Sequence, residues 1–458
     1  MLTSRKVGVF SNGQSHVATG NVVVGRNKEF AMRAPIAFFF VALISSALSP
    51  CQAAPPDVGT GRESGQKPAT STVDQWTIKG REFSKSRSVN AIEFGLTAGS
   101  TSDQSTVLAK AIQHASESRE VDTVYIPEGV YFFANPIWLR SGVNLIGDAA
   151  GKTVLERKDN SDYLLKGKHM DCRKAVVANL TLRNPDRTLL MLDVSNLQFS
   201  HVEFSGGIVR FEKSSGILLD GNVFTENLGK SAYAGSACEN VRIVNNAFNS
   251  VEHGSINLSG HRKCHVESNY ITSSKPIDSG YAGIRLPNGA KNNTVENNFI
   301  ENHGRGIFIL SSSANNIVRN NVVKHTTREG VLIQSSNNLL EGNTIIDAGC
   351  EAIYVVDANG KSSPTPSIAD GNRILRNVIH DTRRHEASSF VGLWIASRNN
   401  IVKGNKVSME HGRKFKMIKT DAGNQDLDNI YDRTVEKGDV EKWTRMRNQI
   451  RTSTPKQK

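Results

Sequence analysis

Three successive stretches decide how this chain folds: N-N-T-V-E-N-N-F-I-E-N-H-G-R-G-I-F-I from Asn292 to Ile309, N-N-I-V-R-N-N-V-V-K-H-T-T-R-E-G-V-L-I from Asn315 to Ile333, and N-N-L-L-E-G-N-T-I-I-D-A-G-C-E-A-I-Y-V from Asn337 to Val355. Each holds two short runs introduced by asparagine and a third, aliphatic run introduced by glycine or alanine. Working outward, the signal N-x-[aliphatic or aromatic] recurs at Asn222, Asn246, Asn269, Asn298, Asn321, Asn343, Asn377 and Asn405, at intervals of 24, 23, 29, 23, 22, 34 and 28 residues. A base period of 22 to 24 with insertions marks a solenoid, whose repeats bury their apolar faces only by stacking. Three strands of three to five residues per period, alternating inward apolar with outward polar side chains, predict an all-β fold. That fold is a parallel β-helix with three short sheets and coils of about 23 residues. A leucine-rich repeat has a similar period, but its L-x-x-L-x-L spacing is absent and no helical pattern fills the gaps.

Stacking accounts for an unusual composition. The 458 residues include 40 Asn, 27 of them between Asn222 and Asn405. Equivalent side chains on successive coils sit ~4.8 Å apart, so an Asn at each turn is expected to bond the Asn above and below while tolerating a left-handed backbone. The ladder is a structural signal. A chain that is 38% apolar and 7% aromatic excludes general disorder. Lys+Arg total 56 against 44 Asp+Glu, and this formal charge of +12 favours an acidic partner: nucleic acid, an anionic membrane or an acidic polysaccharide.

Ahead of the repeat, Met32-Arg33, the apolar run Ile36 to Leu48 and Cys51-Gln52-Ala53 read as an export signal over residues 1–53, with Met32 a candidate start and cleavage expected after Ala53. The run is short for a membrane span, so none is expected after cleavage, and Pro50 argues against lipidation of Cys51. Removing five basic and one acidic side chain leaves 12 − 4 = +8. Residues 54–75 read as a disordered linker, 76–150 as an N-terminal cap with the first coils, 151–408 as β-helix, and 409–458 as a C-terminal cap and basic tail with a short helix around Val440 to Ile450. Export argues against a nucleic-acid partner; a secreted or periplasmic monomer is expected.

Cys172 and Cys350 lie about seven coils apart, roughly 30 Å, beyond disulfide reach. Cys238 with Cys264 is the one plausible pair, the alternative being free thiols stacked in the core. No C-x-x-C spacing occurs, so zinc is not expected.

The segment F-G-L-T-A-G-S-T-S-D-Q-S-T-V-L-A-K-A-I-Q-H-A from Phe94 to Ala115 predicts a helix capped by Asp103, with Val107, Leu108, Ala111, Ile112 and Ala115 on its apolar face. Such a helix would close the open end of the solenoid. V-Y-I-P-E-G-V-Y-F-F from Val124 to Phe133 and S-G-V-N-L-I-G-D from Ser141 to Asp148 follow. With the repeat, over about Ser88 to Ser408, these segments resemble the pectate lyase-like right-handed parallel β-helix superfamily of polysaccharide-active proteins. The resemblance implies a right-handed single-stranded β-helix with an N-terminal capping helix. It also implies a substrate groove on the sheet reached from the Asn turn through one strand and a variable loop. Lyases, hydrolases, epimerases and non-catalytic proteins share that scaffold. The N-T-D, D-D and G-H-G of polygalacturonases, the W-I-D-H of calcium pectate lyases and the D-P-H-D of alginate epimerases are absent.

On that mapping Asn257, Arg285, Phe308, Leu332, Tyr354 and Trp394 form one outward column, where aromatics stack on sugar faces and Arg pairs with a uronate carboxylate. Arg285, Tyr281, Phe308, Trp394, His303, His380, Arg383 and Arg384 are the candidate substrate-binding residues. Loops before this strand concentrate ionisable groups, and Arg305, Glu329 and Glu351 should stack on three consecutive coils. Elimination on a uronate needs carboxylate neutralisation, a base and an acid, for which Lys324, His325, Arg328, Arg305 and Tyr354 are the catalytic candidates. Glu329, Glu351 and Asp347 could bind Ca²⁺ through oxygen ligands or form surface ion pairs. The expected function is cleavage of an acidic polysaccharide by a lyase. A hydrolase or epimerase on the same scaffold, and a non-catalytic cell-envelope carbohydrate-binding protein, are the alternatives.

Overall fold

A computed structural model describes residues 75–78, 81–227, 231–250, 253–273, 279–358, 366–382, 392–409, 418–420 and 423–432. The segments read from sequence as an export signal, a linker before Gln75 and a tail helix lie outside the described residues, as do Arg383 and Arg384. Within them the chain winds into a parallel β-solenoid of about 11 turns.

The quoted stretch shows how. Thr294–Glu296, Phe299–Glu301 and Arg305–Ile309 make one coil, and Ile317–Arg319, Val322–Lys324 and Val331–Ile333 make the next. Pairing is parallel and in register: Val295 with Val318 and Leu340, Ile300 with Val323 and Ile345, Ile307 with Val331 and Ile353. All nine side chains are fully buried. Each contributes about 1.5–3 kcal/mol relative to exposure, and none could be buried by its own coil alone.

Asparagine forms two ladders. In one, the Oδ1 of Asn321 accepts from both the backbone N–H and Nδ2 of Asn298, and the Oδ1 of Asn343 does the same for Asn321, at 2.9–3.0 Å. The second runs Asn293, Asn316, Asn338 in the same manner. The left-handed conformation, expected at the ladder residues themselves, belongs to their predecessors: Asn292, Asn297, Asn315, Asn320 and Asn337 have φ between 54° and 59°. The stacked residue must aim its amide inward, so the preceding residue makes the bend. Asn-Asn doublets therefore encode a bend followed by a rung.

The first coils differ. Strand structure runs on through the corners over Leu165–Ala178 and Thr181–Ser200, 14 and 20 residues rather than the three to five expected. Their interior is aromatic, with Phe204, Phe224 and Phe248 stacked at 4.8 and 4.2 Å. An antiparallel hairpin, Gln75–Ile78 with Arg81–Ser84, precedes the solenoid. Helix α1 (Ser105–Glu117) buries Leu108, Ala111, Ile112 and Ala115 in the core that contains Val124 and Leu145. Asp103 is not its cap residue. It lies one position earlier, and its carboxylate ties the helix start to the next loop by accepting from Ser105 and Ala134 N–H and from Asn135 Nδ2. Burial would raise its pKa, but these bonds outweigh it and hold the group at about 2.

The solenoid also outlasts Ser408. Ile418–Thr420, Gln425–Leu427 and Ile430–Asp432 pair in register with the preceding coil, and Asn424 and Asn429 extend both ladders. Asp426 pairs with the buried Val402 of the preceding coil, and this acidic residue at an inward phase interrupts the hydrophobic period. Cys172, Cys238, Cys264 and Cys350 are free thiols. No helix among the described residues is long and apolar enough to cross a membrane.

Candidate functional site

Parallel register on the third sheet aligns Asn257 with Arg285, Arg285 with Phe308, Phe308 with Leu332, Leu332 with Tyr354, and Tyr354 with Trp394. Their flanking aliphatics, among them Ile284, Leu286, Ile307 and Ile309, are fully buried, so the six side chains face out as one column. At its far end the rings of Tyr354 and Trp394 stack, centroids 4.8 Å apart and planes 25° apart. In its middle Phe308 and Leu332 are only 6% and 3% exposed, packed with Ala282 and Leu310. Phe308 is thus a member of a small apolar cluster and not a sugar platform, because bulky neighbours on adjacent coils bury one another.

Arg285 supplies the distinctive polarity. Its guanidinium lies 5.2 Å from the Tyr281 ring centroid and 5.8 Å from that of Phe308. Its Nε is buried and has no hydrogen-bond partner among the described residues. Burial lowers its pKa from the ordinary value; Tyr281 opposes this, and Arg305 adds to it. Tyr281 is 39% exposed and meets the His253 ring edge-on at 4.6 Å. A donor held ready beside an accessible phenol and an imidazole is chemically suited to an anionic, hydroxyl-bearing ligand.

A second ladder flanks the column. Arg305, Glu329 and Glu351 fall on successive coils: Gly306 N–H donates to Glu329 O and Gly330 N–H to Glu351 O. Arg305 Nε donates to Glu329 Oε2 at 2.5 Å, and its guanidinium lies 4.9 Å from the Phe308 centroid.

Residues 88–351 match the profile of the rhamnogalacturonase A/epimerase, pectate lyase-like family. The chain belongs to that family. Among solved structures it is similar to the A-module of the Azotobacter vinelandii mannuronan C-5 epimerase AlgE6, at 15% identity over 76% of this chain and 100% of that one, with a TM-score of 0.53. The surface adhesin PfbA of Streptococcus pneumoniae matches at 14% identity over 75% and 92% of the two chains, TM-score 0.49. An exopolygalacturonase from Thermotoga maritima matches at 12% over 76% and 92%, also with TM-score 0.49. No curated protein sequence matches the chain.

For this pectate lyase-like protein the remaining candidates divide. Lys324 and His325 lie at the corner between the second and third sheets with two carboxylates. His325 Nδ1 is 3.4 Å from Glu301 and Nε2 is 3.5 Å from Asp347, while Lys324 Nζ is 4.0 Å from Glu301. Arg328 is exposed on the following turn. His303 is not on the surface: it is 1% exposed, 3.4 Å from Ser255 Oγ, and burial pushes its pKa down to about 4. His380 is likewise buried, with Nδ1 3.2 Å from Ser408 Oγ. Both belong to the wall of the solenoid, which sequence spacing alone could not separate from its rim.

The proposed calcium ligands do not fit that ion. Asp347 is engaged by His325 and by the Thr382 N–H and hydroxyl. Glu329 and Glu351 instead cluster with Cys350, their ligand atoms within 4.8 Å of one another. Arg305 already neutralises Glu329, and burial, reinforced by Glu329 and Glu351, pushes the Cys350 thiol up to about 12. A protonated thiol and a guanidinium replace the oxygen shell that calcium requires. Sequence reasoning missed His253, although it precedes Gly254-Ser-Ile-Asn-Leu in the phase that Tyr281 holds before Ala282-Gly-Ile-Arg-Leu.

Proposed function

We propose that the chain is an exported lyase acting on a uronate-containing polysaccharide along the third-sheet column. One observation carries this reading: the part-buried Arg285, whose Nε has no partner among the described residues, beside the accessible Tyr281 phenol and the His253 ring. Arg285 would pair with the uronate carboxylate and so stabilise charge that develops when the C5 proton leaves. Tyr281 and His253 would move the proton; His325, held between Glu301 and Asp347, is the second candidate base, with Lys324 and Arg328 beside it. Removing the C5 proton forms the C4=C5 bond and breaks the C4–O glycosidic bond, the leaving oxygen taking up a proton. The stacked Tyr354 and Trp394 would hold a more distant sugar. Returning the proton to the opposite face of C5 instead would make an epimerase, so the same residues serve both outcomes.

Ultraviolet absorbance of unsaturated ends, followed over pectate, alginate and glycosaminoglycans, tests the claim. Absence of such product on every polymer rejects a lyase, and solvent deuterium at C5 without cleavage identifies an epimerase. A hydrolase reading rests on Glu329 and Glu351, whose oxygens lie within 4.8 Å, close to the ~5 Å carboxyl spacing of retaining enzymes. Reducing ends without unsaturation would favour it.

A further inference from the structure

A cleft of about 590 Å³ lies in the first coils, where the second sheet turns toward the third. Its size is that of a small-ligand site. Register pairs Glu156 with Arg183, Arg183 with Ser205 and Ser205 with Thr225 on successive second-sheet coils, and Asn249 follows Phe248, the partner of Phe224, on the next, so these residues run along one side of the cleft. Arg157 lines it and is only 3% exposed. Its Nε donates to Asp159 and its Nη2 to Ser161 Oγ, at 2.9 and 2.8 Å, while the buried Nη1 has no partner among the described residues. Lys158 and Arg183 add two exposed cations to the lining.

Two acceptor-bearing side chains, Glu226 and Asn249, line the same cleft. Asn249 Oδ1 is buried without a partner among the described residues, and Glu226 Oε2 accepts from Ser205 Oγ at 2.9 Å. The floor is kept bare at Gly206, with φ +98°, where a Cβ would sit 2.3 Å from the Asn184 carbonyl oxygen. A buried donor and a buried acceptor, both without a partner among the described residues and both on side chains that line a cleft with two further cations, call for a ligand carrying both a carboxylate and hydroxyls. We propose that this cleft binds a uronate residue of the same polymer, remote from the bond being altered. The identity of the polymer rests on the function proposed above; the cleft's chemistry does not. Asn249 shares its coil with His253, so the cleft adjoins the coil on which the column's acid-base pair begins.

Calorimetric titration with graded oligogalacturonates and oligomannuronates, and with neutral cello-oligosaccharides as control, tests this. The Lys158→Ala/Arg183→Ala double variant removes exposed side chains and leaves Arg157 in place. Short oligouronates should occupy two sites on the parent and one on either the double variant or Arg285→Ala, and oligomers spanning both should weaken by about tenfold or more in each. Neutral oligomers should not respond. Isotherms of the double variant indistinguishable from the parent's, or a parent that binds no oligouronate, would overturn the cleft assignment. Loss in the double variant with Arg285→Ala unchanged would leave the cleft standing and reject the function proposed for the column.

Discussion

Arg305 Nε donates to Glu329 Oε2 at 2.5 Å across one coil, with the two side chains 14% and 12% exposed. Removing one partner leaves the other as a poorly hydrated charge. Arg305→Ala should therefore destabilise the protein by about 2–3 kcal/mol, whereas the double replacement Arg305→Met/Glu329→Met should recover most of the loss. Urea unfolding of the cycle decides it; equal losses in the single and double variants would contradict the pairing.

Asn321 sits mid-ladder with every side-chain group in use. Its Nδ2 donates to Asn343 Oδ1 and Val295 O, and its Oδ1 serves both donors of Asn298. Asn321→Ala leaves several buried groups unsatisfied and should cost about 3 kcal/mol or more. Asn429→Ala, in the last described coil, should cost less. A flat response at Asn321 in thermal unfolding would mean the ladder is decorative.

Acid sensitivity follows from two interior histidines. Burial pushes His261 and His303 down to about 4, and His261 keeps its neutral form engaged between Tyr233 Oη and the Ser259 carbonyl. Each folded pKa lies below the unfolded value of about 6.5, so their contribution is complete above pH ~6.5 and is lost as pH falls toward ~4. The loss approaches about 3 kcal/mol per histidine. Asp103, held at about 2, withdraws its own contribution only below pH ~4. His303→Gln should flatten the stability profile between pH ~6.5 and ~4, as read by denaturant midpoints; an unchanged slope would count against a buried neutral imidazole.

Metal removal should change little. With Glu329 engaged by Arg305 and Cys350 protonated, a chelator is expected to leave both melting temperature and turnover unaltered. A chelator-sensitive activity restored by calcium would refute this reading of the cluster.

The stacked pair Tyr354 and Trp394 should act on binding. Trp394→Ala is expected to raise KM for polymer several-fold, about 1 kcal/mol of stacking, with kcat nearly unchanged. A fall in kcat at constant KM would place Trp394 at the reacting bond instead.

Much of the architecture was legible because each coil repeats the same local demands. The quoted stretch states where strands run, which aliphatics turn inward and where asparagine stacks, and the outward column from Asn257 to Trp394 follows from the phase of Gly-Ile-Arg-Leu and its relatives. The coil from Ile418 to Asp432 is harder to read because Asp426 stands where the preceding coil has the inward Val402, although Asn424 and Asn429 mark it. Phe308, His303 and His380 are harder cases. Their phase is compatible with exposure, and only the neighbours above and below decide their burial.

By itself, then, the sequence determined the period, the three-strand coil, the asparagine ladders and the alignment of side chains along each sheet, since these depend on residue spacing within one coil and its repetition. Tertiary structure decided which ionisable groups meet. It closed Arg305 on Glu329, drew His325 between Glu301 and Asp347, left Arg285 Nε without a partner among the described residues, and gathered Arg157, Lys158 and Arg183 around one cleft. Those outcomes depend on side-chain reach and burial between coils, to which hydrophobic periodicity is blind.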